Sequence, residues 1–156
     1  HCEFKDKAHS IAMELLSLTP DEYYSIYNNR ELKEKVHSKF FGMSPRNFLQ
    51  WVSEEVCKPM FGQDYFGKAA ARLVGDGHLS VFSDGGFPSE LLPIIKKVGA
   101  GNVHIVRFAR QGCTFKGDTR DFIQESPELA GVHFHNMQND GYLLDFVQDI
   151  LKKVKG

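Results

Sequence analysis

The sequence predicts an α/β domain in three layers, a mostly parallel sheet with helices on both faces. Residues 1–78 read as successive amphipathic helices, and from residue 79 short apolar runs alternate with helical patterns. Strands separated by helices need crossover connections, which makes the sheet parallel. A chain of 156 residues also suits one domain with a core of its own. The expected organisation is a single domain over 1–156, mostly helical in 1–78, with a strand–helix core in 79–156.

Taken in order, Phe4, Ala8, Ile11, Ala12, Leu15 and Leu16 recur at three- and four-residue spacings, the pattern of an amphipathic helix. Thr19-Pro20-Asp21-Glu22 opens a second helix: Thr19 caps, Pro20 suits the first helical position, and Glu22 completes a capping box. Asn28-Asn29 breaks it. The charged stretch 31–41 reads as a mobile helical or loop segment. Ser44-Pro45 starts a third helix that buries Phe48, Trp51, Val52 and Val56 and stops near Pro59. A fourth helix covers 64–74 and ends at Gly75-Asp76-Gly77.

In the second half, 79–84 reads as a short strand ending in Asp84, and 88–98 as a helix bent by Pro93. Residues 102–108 form a second strand, 108–117 a loop, 118–124 a short helix and 132–135 a third strand. The last helix, 141–154, carries Leu143, Leu144, Val147, Ile150 and Leu151 on one face.

Composition narrows the function. A formal net charge of -1 gives no general grip on nucleic acid. The three cysteines, Cys2, Cys57 and Cys113, form no CxxC, so neither a disulfide framework nor a structural zinc site is predicted. No apolar run approaches a membrane span and no signal peptide is visible, so a cytoplasmic setting without membrane contact is expected. The chain opens on His1 rather than Met, which points to a segment removed upstream. Exposed tyrosines, among them Tyr23, Tyr24 and Tyr27, hint at self-association.

Ligands of open α/β sheets sit beyond the carboxyl ends of the strands. Asp84, Arg107 and His135-Asn136 fall there. Arg107, Arg110 and Arg120, with Lys116, make either a phosphate-binding cluster or a solvent-facing basic loop. His133 and His135 share a strand face, but spacing supplies no third metal ligand, so a structural role is favoured. Cys113 reads as an ordinary loop cysteine. The run Gly62 to Ala69 nearly spells a P-loop, but it follows a helix end, carries Tyr65 and Phe66 where a nest must curl, and lacks the magnesium-binding hydroxyl.

Four stretches, in order, carry a resemblance. They are Ser44-Pro45-Arg46-Asn47-Phe48-Leu49-Gln50-Trp51; Ser83-Asp84-Gly85-Gly86-Phe87-Pro88-Ser89-Glu90; Val103-His104-Ile105-Val106-Arg107; and Asn136-Met137-Gln138-Asn139-Asp140-Gly141-Tyr142-Leu143-Leu144. Together they resemble the phage-type deoxynucleoside monophosphate kinases, P-loop nucleotide kinases related to dephospho-coenzyme A kinase. The resemblance implies phosphoryl transfer from ATP, with Mg2+, to a deoxynucleoside monophosphate. It implies that Arg46, Gln50 and Phe66 hold the acceptor and that Asp84 and Glu90 lie close to it. It gives Arg107, Arg110 and Arg120 the donor phosphates, with 108–124 as the lid, and Asn136, Asn139 and Gly141 the wall beside adenine. A phage-encoded chain of this kind would work in the host cytoplasm.

Two departures matter. Gly86 stands where the family has an arginine, and the stretch at Phe4 to Ala8 is one that family members reach only after a strand, a P-loop and a helix. Without that nest little phosphoryl-transfer machinery remains, so these residues alone are expected to be inactive. The chain is then either part of a kinase or a P-loop-less relative that binds a nucleotide or a host protein.

Overall fold

The computed structural model describes residues 2–75, 77–116, 121–138 and 143–155. The chain divides into two compact units, His1–Gly85 and Gly86–Gly156. It is mixed in class: helices dominate, and the regular sheet among the described residues is one parallel pair of strands.

The first unit is helical. Helix α1 spans Asp6–Leu16, α2 Pro20–Tyr27, α3 Arg30–Lys33, α4 Pro45–Trp51, α5 Lys58–Phe61 and α6 Tyr65–Leu73. The capping box forms as the sequence requires. Glu22 N–H donates to Thr19 Oγ1 at 3.4 Å, and Thr19 N–H donates to Glu22 Oε2 at 2.9 Å. These bonds hold the Glu22 carboxyl below the usual carboxylate range. Ser44 caps α4 by accepting from Asn47 N–H at 3.2 Å.

The third helix ends at Phe61, two residues past the expected stop at Pro59, but it is not regular throughout. From Val52 to Cys57 it widens into a π-helix and continues as α5. Pro59 has no N–H to give, and its ring crowds the carbonyl four residues back, so a widened turn relieves the clash. The charged 31–41 stretch holds α3 and a short 3-10 turn, Ser38–Phe40, that sends Phe40 wholly into the core.

Ala12, Tyr23, Phe40, Phe48 and Val52 form the centre of this core. Tyr23 and Tyr27 are buried rather than exposed, so the hint of self-association from those rings does not hold. Trp51, expected inside, is 39% exposed. His9 is buried beside Tyr23, with Nδ1 2.8 Å from the phenol oxygen. Burial, with Lys5 next, lowers the His9 pKa to about 4, so the ring is neutral at pH 7.

Residues 79–84 do not form a strand. The stretch makes one parallel bridge, Cys2 to Phe82, with Cys2 N–H donating to the Val81 carbonyl at 2.9 Å. A strand needs a partner along its length. Here the partner is one residue, and Leu79 and Val81 remain exposed.

In the second unit α7 spans Pro88–Val98 with Pro93 inside it, β1 spans His104–Ala109, β2 His133–Gln138 and α8 Leu143–Lys155. No helix occupies 121–124; the rest of the predicted 118–124 helix lies outside the described residues. Leu91, Ile94, Ile123, Leu129 and Val132 are its buried apolar residues.

Candidate functional site

The parallel pairing of β1 and β2 sets His104 opposite His133, Val106 opposite His135, and Arg107 opposite Asn136. Side chains alternate along a strand, so the ribbon has two chemically distinct faces. One carries Ile105, Arg107, Phe134 and Asn136. The other carries His104, Val106, His133 and His135.

On the first face Arg107 lies near the carboxyl end of β1. Its Nε–H donates to the Ile123 carbonyl at 2.9 Å, and Nη1 donates to Asn136 Oδ1 at 3.4 Å. The guanidinium carbon lies 4.5 Å from the centre of the Phe134 ring. Nη2 is buried and donates to nothing among the described residues. A buried donor without a partner is costly, and here it belongs to a fixed positive charge. An anionic oxygen ligand would satisfy both the bond and the charge.

On the second face His104 Nδ1 and His135 Nε2 are 2.9 Å apart, with ring planes only 6° from parallel. His133 stacks on His104 with ring centres 4.7 Å apart. The neighbouring strand thus supplies a third imidazole that spacing could not reveal. One nitrogen of each ring, His104 Nδ1 and His135 Nε2, is nonetheless committed to the other. Among the described residues no group of three His, Cys, Asp or Glu is arranged to hold a metal ion.

Burial first, then His133 and His135, lowers the His104 pKa; burial, then Lys153 and His133, lowers that of His135. Folded values below the unfolded one mean that the unfolded state binds more protons. The stability from this pair is therefore present above about pH 6.5 and lost as pH falls below it. Proton titration followed by imidazole NMR is expected to place both rings below the ordinary histidine value, with His135 rising in His104→Ala. Ordinary titration of both rings in the parent would refute this.

The other predicted site residues divide between the units. Asp84 accepts Phe4 N–H at 2.8 Å on Oδ1 and Lys5 N–H at 3.0 Å on Oδ2, so both oxygens hold the chain's own N-terminal backbone. Arg46 Nε donates to Glu34 Oε1 at 2.6 Å on an exposed surface, a pair worth about 0–1 kcal/mol. Gln50 is exposed. Phe66 is 2% exposed inside the core, so its ring is not offered to a base. Glu90 is buried in the first turn of α7, and Arg110 is exposed. Arg120, Asn139 and Gly141 lie outside the described residues. The structure thus brings Arg107 and Asn136 together and gives Asp84, Arg46 and Phe66 structural partners.

No protein-family model, curated protein or solved structure matches the chain.

Proposed function

We propose that this chain is a nucleotide-kinase-like domain that binds the phosphate of a deoxynucleoside phosphate at Arg107. In this reading the β1–β2 pair belongs to a three-layer, mostly parallel sheet of the P-loop nucleotide-kinase kind. The single observation that carries it is the buried Nη2 of Arg107 beside Asn136, which has no partner among the described residues. Arg107 and Asn136 stand in the carboxyl-terminal halves of their strands, each two residues short of the end, on the side toward which ligands of parallel sheets bind. Arg110 and Lys116, exposed on the following loop, can add charge to the same anion.

ATP and Mg2+ enter through the resemblance alone. The described residues do not fit a protein-built magnesium site: no group of three His, Cys, Asp or Glu among them is arranged to hold a metal ion, and Asp84, the acid the resemblance offers, has both oxygens on backbone N–H groups. Hence no transfer step is assigned to these residues, and their part is binding. The rival reading, a protein-binding role, draws on the first unit, where Phe41 and Met60 are each 71% exposed.

Calorimetric titration with a panel of deoxynucleoside monophosphates tests the proposal. Arg107→Met keeps the apolar stem and removes the charge. It is expected to weaken binding by roughly tenfold to a hundredfold, the effect of one charge-assisted hydrogen bond. Equal affinity of parent and variant, or no binding by the parent, would sink the nucleotide reading and leave the protein-binding one.

A further inference from the structure

A second binding position lies wholly within the first unit. Helices α1, α2 and α3 surround a cleft of ≈ 400 Å³ whose walls include Lys5, His9, Tyr24, Tyr27 and Lys33. That is the size range of small-molecule sites. None of these residues belongs to the set that the sequence resemblance marks.

The cleft wall carries two carboxylates, Glu3 and Asp6, and two ammoniums, Lys5 and Lys33, so its formal charge is balanced and the question is which groups already have partners. Lys5 pairs with Glu3 at 3.3 Å, and Arg46 pairs with Glu34. Asp6, also on the wall, accepts the Glu3 N–H at 3.0 Å. Lys33 has no carboxylate within ion-pair distance among the described residues. Its ammonium sits 4.1 Å from the centre of the Tyr27 ring. Burial first, then Arg46 and Lys5, pushes its pKa below the ordinary lysine value, with Glu34 opposing.

His9 adds a directed donor. The Tyr23 hydroxyl is buried and its pKa is raised by desolvation, so it stays protonated and can donate to His9 Nδ1. A neutral imidazole that accepts at Nδ1 carries its hydrogen at Nε2. That N–H has no partner among the described residues, on a side chain that lines the cleft.

We propose that this cleft binds a small organic anion, with a carboxylate or phosphate-ester head on Lys33 and His9 and a planar body against Tyr24. The two head groups share the needed chemistry, a compact oxyanion that accepts from an ammonium and an N–H. The site stands independently of Arg107.

NMR titration of the 156-residue chain with phenyl phosphate, benzoate and inorganic phosphate tests it. Phenyl phosphate or benzoate, or both, should shift His9, Tyr24 and Lys33 resonances, and the stronger of the two identifies the head. Lys33→Met keeps the stem over Tyr27 and should weaken binding by roughly tenfold to a hundredfold. Lys152→Met on α8 should leave it unchanged. Circular dichroism verifies folding, and Lys33→Gln replaces Lys33→Met if the latter unfolds. The proposal is overturned if neither organic anion shifts these residues, if only inorganic phosphate does, or if the Lys33 variants bind like the parent.

Discussion

Acidification from pH 7 to below pH 4 is expected to remove about 3 kcal/mol of stability through His9 alone. The folded pKa is about 4, against the ordinary value 6.5. Each pKa unit is worth 1.36 kcal/mol, so the difference amounts to about 3 kcal/mol. The direction follows from linkage: the folded value is depressed, so between the two values the unfolded chain binds the extra proton. His9 therefore contributes its full share above about pH 6.5 and loses it progressively toward pH 4. The cause is burial among Tyr23, Tyr24 and Tyr27, whose rings lie 4.6 to 5.7 Å from it, with no carboxylate among the described residues taking a hydrogen bond from the ring.

Urea unfolding at half-unit steps of pH, in the parent and in His9→Gln, isolates the effect. The variant should start less stable, because a buried Tyr23 hydroxyl loses its fitted partner, and should then show a flatter profile across this window. If both proteins lose stability in parallel, His9 is not the titrating group.

Replacement of Asp84 by alanine is expected to cost about 3 kcal/mol, a stability effect rather than a binding effect. Two charge-assisted hydrogen bonds disappear, each worth about 1.5–3 kcal/mol, partly offset by water reaching the freed N–H groups. Those groups belong to Phe4 and Lys5. Phe4 is 4% exposed and its ring packs 4.8 Å from that of Phe82, so the carboxylate holds a segment whose apolar side chain is already in the core. Hydrogen exchange should show the Phe4 and Lys5 amides losing protection in Asp84→Ala, together with a lowered urea midpoint. Unchanged protection and a stability loss under about 0.5 kcal/mol, the size of an ordinary surface substitution, would return Asp84 to the list of ligand-binding acids.

Much of the first unit was legible locally. The Thr19–Glu22 and Ser44 caps form where their residue types require, because a cap is satisfied within three residues of itself. The boundaries of α1, α2 and α6 follow apolar spacing for the same reason. The π-helical turn ahead of Pro59 was not legible. Proline signals a break, but the surrounding core, with Val52 and Cys57 buried, decides whether the chain stops or widens and continues.

The site was legible in part. The order of Arg107 and Asn136 along the strands followed from the alternation of strands and helices, but β2 runs on to Gln138 rather than ending at 135, so His135 and Asn136 lie inside the strand and not beyond its carboxyl end. Three features could be decided only by tertiary structure. Whether a carboxylate holds a ligand or a backbone depends on what folds against it, and Asp84 meets Phe4 and Lys5 across 80 and 79 positions of sequence. Whether an aromatic ring stacks on a base or fills a core depends on neighbours, and Phe66 and Tyr23 are enclosed. The pairing of His104 with His135 depends on strand register, which a single-residue slip would abolish by turning one ring to the opposite face. By itself the sequence determined the capped helix starts at Thr19 and Ser44, the mixed α/β class and the order of the polar residues, because these rest on short-range sterics and hydrogen bonds. The tertiary structure decided which charges are spent on folding and which, like the Arg107 guanidinium and the Lys33 ammonium, are left for something else to meet.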